Sequence, residues 1–256
     1  MSKIPVVFVG HGSPMNAIED NSFSRTWREM AALIPKPEAI LSVSAHWYTK
    51  GTRIMDGERP KTIYDMYGFP DELYKIVYDA PGPPEIARAA KRLISKETVY
   101  DNSWGIDHGT WSVLVHMYPE SDIPVFQISI DAYAPPEAHY RIGRELRSLR
   151  EQGVLILGSG NIVHNLRLAD WDMDDVGFDW AYEFDGSIHD SIMKKDHEKI
   201  LKYEELGSLA KLAVPITDHF YPLLYALGAS DEGDSISVYN RSCVLGSVMM
   251  TAYIWG

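Results

Sequence analysis

An α/β fold on a mostly parallel central sheet is predicted by three observations. Short β-branched runs at Pro5–Val9, Ala39–Ser44, Val125–Ile130 and Val154–Leu157 are each stopped by Gly, Ser or Asp, as strands are. Between them, apolar residues recur at spacings of three and four over Ser22–Leu33, Pro84–Ile94, Pro136–Arg150, Trp180–Lys195 and Phe220–Leu227. Strand and helix alternate, and that order implies right-handed crossovers and a sheet covered by helices on both faces.

Taken in order, the run before "GHGSP" ends in two glycines that bracket His11 with backbone able to bend sharply. Ala39–Ser44 runs into His46 in the same manner. Residues 51–80 are rich in Asp, Gly, Pro and Tyr without periodicity and read as a long loop, as do 165–178. "DNSWGIDHGTWSVL" places His108 in a turn before an apolar helix, where Asp107 or a backbone carbonyl could fix its tautomer. Val154–Leu157 leads through "GSGNIV" to His164. Near the C-terminus, Thr217 or Asp218 could cap the helix that begins around Phe220, putting His219 at its start. "SISVYN" and "CVLGSVMMTAYIWG" read as further strands, an antiparallel edge pair. With no repeat, low-complexity tract or boundary, 1–256 reads as one domain.

Composition narrows the function. With 36 acidic and 24 basic side chains, the net charge of −12 argues against nucleic acid or anionic lipid as a partner. No stretch approaches the ~18 consecutive apolar residues a membrane helix needs. The only cysteine, Cys243, excludes an intrachain disulfide, and the N-terminal apolar stretch is too short for a signal peptide, so a cytoplasmic protein is expected. "GSGNIV" lacks the third glycine of a dinucleotide fingerprint and is not followed by a P-loop Lys-Ser/Thr pair. No G-x-S-x-G elbow is present.

The histidines carry the remaining chemistry. In open α/β sheets ligands bind beyond the carboxyl ends of strands, and three predicted strands run there into His11, His46 and His164, with His219 a fourth candidate. Singly, each is a hydrogen-bonded turn residue or a metal ligand. Together they suggest a shared site, since imidazole is a common donor to Zn, Fe, Cu and Ni. His139, His189 and His197 lie on helical patterns among charged neighbours and read as solvated faces, and His116 as a satisfied helix histidine.

"GHGSPMN", "SAHWYT", "WGIDHGTWSVLVHMYP", "GSGNIVHNLR" and "DHFYPLLYALGA", in this order, resemble the DOPA 4,5-dioxygenase group of the class III extradiol ring-cleavage dioxygenases. The likeness spans residues 6 to about 228. It implies a single three-layer α/β/α catalytic domain around a mixed sheet, with a mononuclear non-haem metal at the strand ends. By the same resemblance, His11, His46 and His219 are metal ligands, the last where relatives often place glutamate. His164 is the acid/base residue and a possible fourth ligand, and His108 a second histidine that bonds oxygen or substrate. The implied reaction is Fe(II)-dependent cleavage of a catechol by O2 to a muconic semialdehyde. Zn(II) suits the nitrogen-rich donors of the purified protein, and a zinc hydrolase or a noncatalytic metal-binding protein are the alternatives. Trp47, Tyr48 and Trp104 are aromatic candidates for substrate contact. Ser13 and Asn161 are polar candidates for the substrate or for orienting the ligands.

Overall fold

The parallel strands are mostly apolar because both their faces are covered, with Ser42, Ser44, Gln127 and Ser159 the buried polar exceptions. A computed structural model describes residues 3–256. Six strands, β1 (Val6–Gly10), β2 (Ala39–Ser44), β3 (Val125–Gln127), β4 (Val154–Gly160), β5 (Ile236–Tyr239) and β6 (Ala252–Trp255), form a sheet in the order β3-β2-β4-β1-β6-β5. The first four in that order pair in parallel. β6 runs antiparallel to both β1 and β5, which is the predicted C-terminal edge pair. Every residue of β1, β2 and β4 is buried.

Longer helices α1 (Ser22–Ala32), α2 (Pro84–Leu93), α3 (His108–Met117), α4 (Pro136–Leu146), α5 (Asp179–Met193) and α6 (Tyr221–Ala229) complete the three layers. Alternation along each strand divides the core in two. Val6, Phe8, Leu41, Val43 and Ile156 pack in one cluster with Ile142, Phe184, Ile188 and Leu224 of α4, α5 and α6. Val7, Val9, Ile40, Leu155 and Leu157 pack in the other with Phe23 and Trp27 of α1 and Trp111 and Leu114 of α3. Among the described residues no helix is long and apolar enough to cross a membrane.

The register brings Gly10 opposite Gly160 and Ser44 opposite Ser159, so the carboxyl ends of β1, β2 and β4 are level. His11, His46 and the segment leading to His164 leave the sheet along one edge. This alignment is what turns residues more than a hundred positions apart into neighbours.

Four expectations need correction. Val125–Ile130 is two strands, because Ile130–Asp131 leaves β3 to pair with Tyr48–Thr49. The helix from Pro136 ends at Leu146 and tightens into a 3-10 turn over Arg147–Gln152. The 51–80 segment is not wholly loop, since Thr52–Ile54 pairs with Thr98–Tyr100. The three histidines assigned to solvated faces are not free in solvent. His139 is fully buried with its Nδ1 3.1 Å from Tyr225 Oη, and His189 and His197 each place Nδ1 3.0 Å from a tyrosine hydroxyl, Tyr253 and Tyr140.

One buried ion pair fastens the chain ends. Arg150, fully buried, donates to the carbonyls of Ile4, Ala229 and Trp255 and to Asp234 Oδ2 at 2.7 Å. Burial raises the Asp234 pKa, but hydrogen bonds from Arg150 and Lys3 outweigh it and hold the carboxyl down to about 2. An unfolded aspartate titrates at about 3.9, so the stability from this carboxylate is complete above that pH and lost as pH falls through about 2. Removing one partner of a buried pair costs about 3–5 kcal/mol. Arg150→Met is therefore expected to lower the urea-unfolding free energy by that amount at pH 7, and a loss under about 1 kcal/mol would show that solvent shares the pair.

Candidate metal centre

Five imidazoles meet beyond the level strand ends. The His11 ring centroid lies 5.0 Å from that of His46, 5.2 Å from His219 and 5.8 Å from His108. His46 is 3.8 Å from His108, and His164 stacks on His219 at 3.5 Å with the planes 7° apart. The structure thus brings together His11, His46, His108, His164 and His219. Four of them come from the turns after β1, β2 and β4 and before α6. His108 corrects the turn expectation, being the first residue of α3.

Local structure aims each ring. Gly12 has φ +60 and turns the chain after His11, whereas Gly10 is still within β1, where a Cβ would lie 2.6 Å from the Met250 carbonyl carbon. Only one of the two bracketing glycines is therefore a bend. His219 precedes α6, whose first turn has no side-chain cap, so neither Thr217 nor Asp218 caps it by side chain. The His219 segment is instead pressed against β4. Asn161 N–H donates to the His219 carbonyl at 2.9 Å, and a Cβ on Gly160 would lie 2.1 Å from that oxygen.

The hydrogen bonds select a tautomer for His11. Ser159 Oγ donates to the Gly109 carbonyl, so toward His11 Nδ1, 3.0 Å away, it can only accept. His11 then carries its proton on Nδ1 and a lone pair on Nε2. Across from it, 3.0 Å away, is His46 Nε2, while His46 Nδ1 lies 3.2 Å from Asp65 Oδ2. A carboxylate favours the proton on the nitrogen it faces, so both Nε2 atoms present lone pairs to each other. That is repulsive between bare imidazoles and suited to a shared cation. One ring nitrogen from each of His11, His46 and His219 lies within 4.8 Å of the other two.

The electrostatics agree with a ligand set. Burial, followed by the neighbouring imidazoles, holds His11 and His46 well below the ordinary histidine pKa. Burial and then His219 do the same to His164. Neutral imidazole is the form that binds metals. Burial works against ionisation of Asp218, but hydrogen bonding to His219 prevails and lowers its pKa. The three histidines fit Zn(II), Fe(II) or other borderline divalent ions, and the donor set has no carboxylate on the Nε2 side.

The other candidates separate. Asn161 is fully buried, donates to Met249 O at 2.8 Å and keeps its Oδ1 unpartnered. Ser13 Oγ accepts the Met15 N–H at 3.2 Å and caps a 3-10 turn on the surface. Trp47 is 3% exposed and Trp104 donates to Asp107 Oδ2, both as packed or bonded aromatics are. Tyr48 Oη lies 2.8 Å from Thr217 Oγ1, near the His219 segment. A cleft of about 730 Å³ lined by Tyr140, Arg147, Lys195 and Trp255 contains none of the five rings.

Two residues that sequence reasoning missed stand inside the cluster. Asp107 does not fix His108. Its carboxylate takes Ser44, Trp104 and Gln127, and burial, then Asp65, raises its pKa. Asp65 has that place instead, accepting the His108 N–H on Oδ1 at 2.9 Å with Oδ2 2.9 Å from His108 Nδ1. Gly109 is the other. A Cβ there would lie 2.6 Å from Ser44 Oγ and 2.7 Å from His46 Cδ2.

Comparison with known proteins gives this geometry a family. Residues 1–251 match the family described as LigB, the catalytic LigB subunit of aromatic ring-opening dioxygenase. The chain is 40% identical to a 4,5-DOPA dioxygenase extradiol of Escherichia coli K12, covering 97% of this chain and 93% of that one. It is 39% identical to the protein of that name from Beta vulgaris, over 92% and 90% of the two chains. The crystal structure of an uncharacterized Escherichia coli K12 protein superposes with a TM-score of 0.86 at 36% identity, over 99% of this chain and all of that one. A candidate metal site at the strand ends of this sheet, with a family match over nearly the whole length, leads to one conclusion: the chain belongs to the LigB family and is an extradiol, aromatic ring-opening dioxygenase.

Proposed function

We propose that residues 1–256 act as one catalytic domain that cleaves a single-ring catechol of the DOPA type at the 4,5-position with O2, giving a muconic semialdehyde. The observation that carries this reading is the 3.0 Å approach of His11 Nε2 and His46 Nε2, with His219 in the same group of converging ring nitrogens. The DOPA specificity is taken from relatives that bear the name 4,5-DOPA dioxygenase extradiol. His11, His46 and His219 would hold Fe(II). When bound, that ion supplies Lewis acidity toward the catechol hydroxyls and the one-electron redox capacity O2 chemistry requires, whereas Zn(II) supplies only the first.

The chain's own residues supply the proton handling. His164, half-buried and stacked on His219, is placed to take a proton from a catechol hydroxyl as a general base. His108, against His46 and anchored through Asp65, presents its Nε2 away from the carboxylate and gives a second proton-transfer group beside His46.

The test strips the metal, reconstitutes with Fe(II) without oxygen, adds L-DOPA or protocatechuate and then admits O2. One O2 consumed per catechol with a yellow product is expected, and Zn(II) in place of Fe(II) should leave the catechol intact. No oxygen uptake across a catechol panel would end the proposal.

A further inference from the structure

The carboxylate that faces two rings at once is Asp65, and it comes from a segment with no periodic pattern. Its side chain is 11% exposed, and its Oδ2 has two polar atoms near it, His108 Nδ1 at 2.9 Å and His46 Nδ1 at 3.2 Å. Oδ2 and His108 Nδ1 are both buried without an aligned hydrogen-bond partner, so the two are within reach of each other but not yet directed at each other. A carboxylate oxygen has two lone pairs and can accept from both rings.

We propose that Asp65 is the positioning residue that couples the metal ligand His46 to His108, holding both as Nδ1–H tautomers so that both Nε2 lone pairs face the metal side of the cluster. The inference rests on the three-histidine centre proposed above. It assigns His46, Asp65 and His108 a different purpose from the one their donor types suggest, which is a second two-histidine, one-carboxylate metal site. Asp65 is on the Nδ1 side of His46, while the His11 contact is on its Nε2 side, so one ring faces the carboxylate and the shared cation from opposite edges. A partner that fixes a ligand's tautomer from the far edge commonly accounts for about 10- to 100-fold in metal affinity.

Asp65→Asn separates the roles of the two oxygens. Its amide oxygen can still accept the His108 N–H, so α3 keeps its start, but an NH2 now meets two Nδ1 atoms and favours the opposite tautomer on each ring. With Zn(II) alone as the probe, chelator competition should show about 10- to 100-fold weaker binding in Asp65→Asn. In ¹⁵N spectra of the Zn(II)-loaded protein His108 should pass from Nδ1–H to Nε2–H, and one metal should be bound per wild-type chain. Unchanged Zn(II) affinity with Nδ1–H retained on His108 would overturn the proposal, as would a second ion per chain lost only in Asp65→Asn. If Asp65→Asn does not fold, wild-type ¹⁵N spectra decide alone, with Nδ1–H on both His46 and His108 required. The underlying centre is tested apart from this. His11→Ala should abolish Zn(II) binding, and unaltered binding there would remove the three-histidine site whatever Asp65 does.

Discussion

Replacing His164 with alanine is expected to leave most of the bound iron in place while lowering turnover by about 10²–10⁴-fold, the range that a positioned general acid or base contributes. His11→Ala and His46→Ala should instead lose the metal. The difference comes from how each ring is held. His11 and His46 face each other nitrogen to nitrogen at 3.0 Å, with Ser159 behind one and Asp65 behind the other. His164 has no such backing. It stacks face to face on His219, and its ring makes no hydrogen bond to another side chain among the described residues. Iron content by mass spectrometry, measured beside oxygen uptake with L-DOPA, separates the two classes. Equal metal loss in all three variants would make His164 a fourth ligand and move the base to His108. Loss of the His164 stack also exposes His219, so a modest fall in iron affinity is compatible with the base role. A fall as large as that of His11→Ala is not.

The parts legible in the sequence were those with a local cause. β1, β2 and β4 are near-continuous apolar runs, broken only by small residues, because helices cover both their faces, and the turn residues after them mark where the sheet stops. His11, His46 and His164 could be picked out because each follows such a run. His139 carried a readable sign that charged neighbours obscured: with Ile142, Gly143 and Leu146 it forms one buried stripe at spacings of three, four and seven. Asp65 had no local sign at all. Its partner backbone is 43 residues away in sequence, within a stretch whose aperiodicity says only that it is irregular. The break in Val125–Ile130 was likewise set from outside, by pairing with Tyr48–Thr49. Gly109, in "DHGTW", looks like a turn glycine, and only the packing of α3 against the histidine turns shows why a side chain is excluded.

That exclusion gives the second large effect. Gly109→Ala is expected to abolish tight metal binding and to lower turnover by about 10² or more, while the fold persists. Gly109 lies in the first turn of α3, and its backbone suits any residue, so helix propensity favours alanine there by up to about 1 kcal/mol. Against this, the added methyl would approach Ser44 Oγ to 2.6 Å, His46 Cδ2 to 2.7 Å and His11 Cε1 to 3.3 Å. These contacts cannot be relieved independently. Ser44 Oγ is held by the buried Asp107, and the Gly109 carbonyl accepts from the Ser159 hydroxyl that fixes the His11 tautomer. The rings must move, and a displacement near 1 Å at a reacting centre costs about 10²-fold. Zn(II) competition, oxygen uptake and a urea melt on the same variant test this together. Loss of tight metal binding with a modest net destabilisation, an overpacking cost of about 1–3 kcal/mol offset in part by helix propensity, is the expected pattern. Wild-type Zn(II) affinity would show that the methyl is accommodated without moving His46, and that the glycine serves only the approach of helix to sheet.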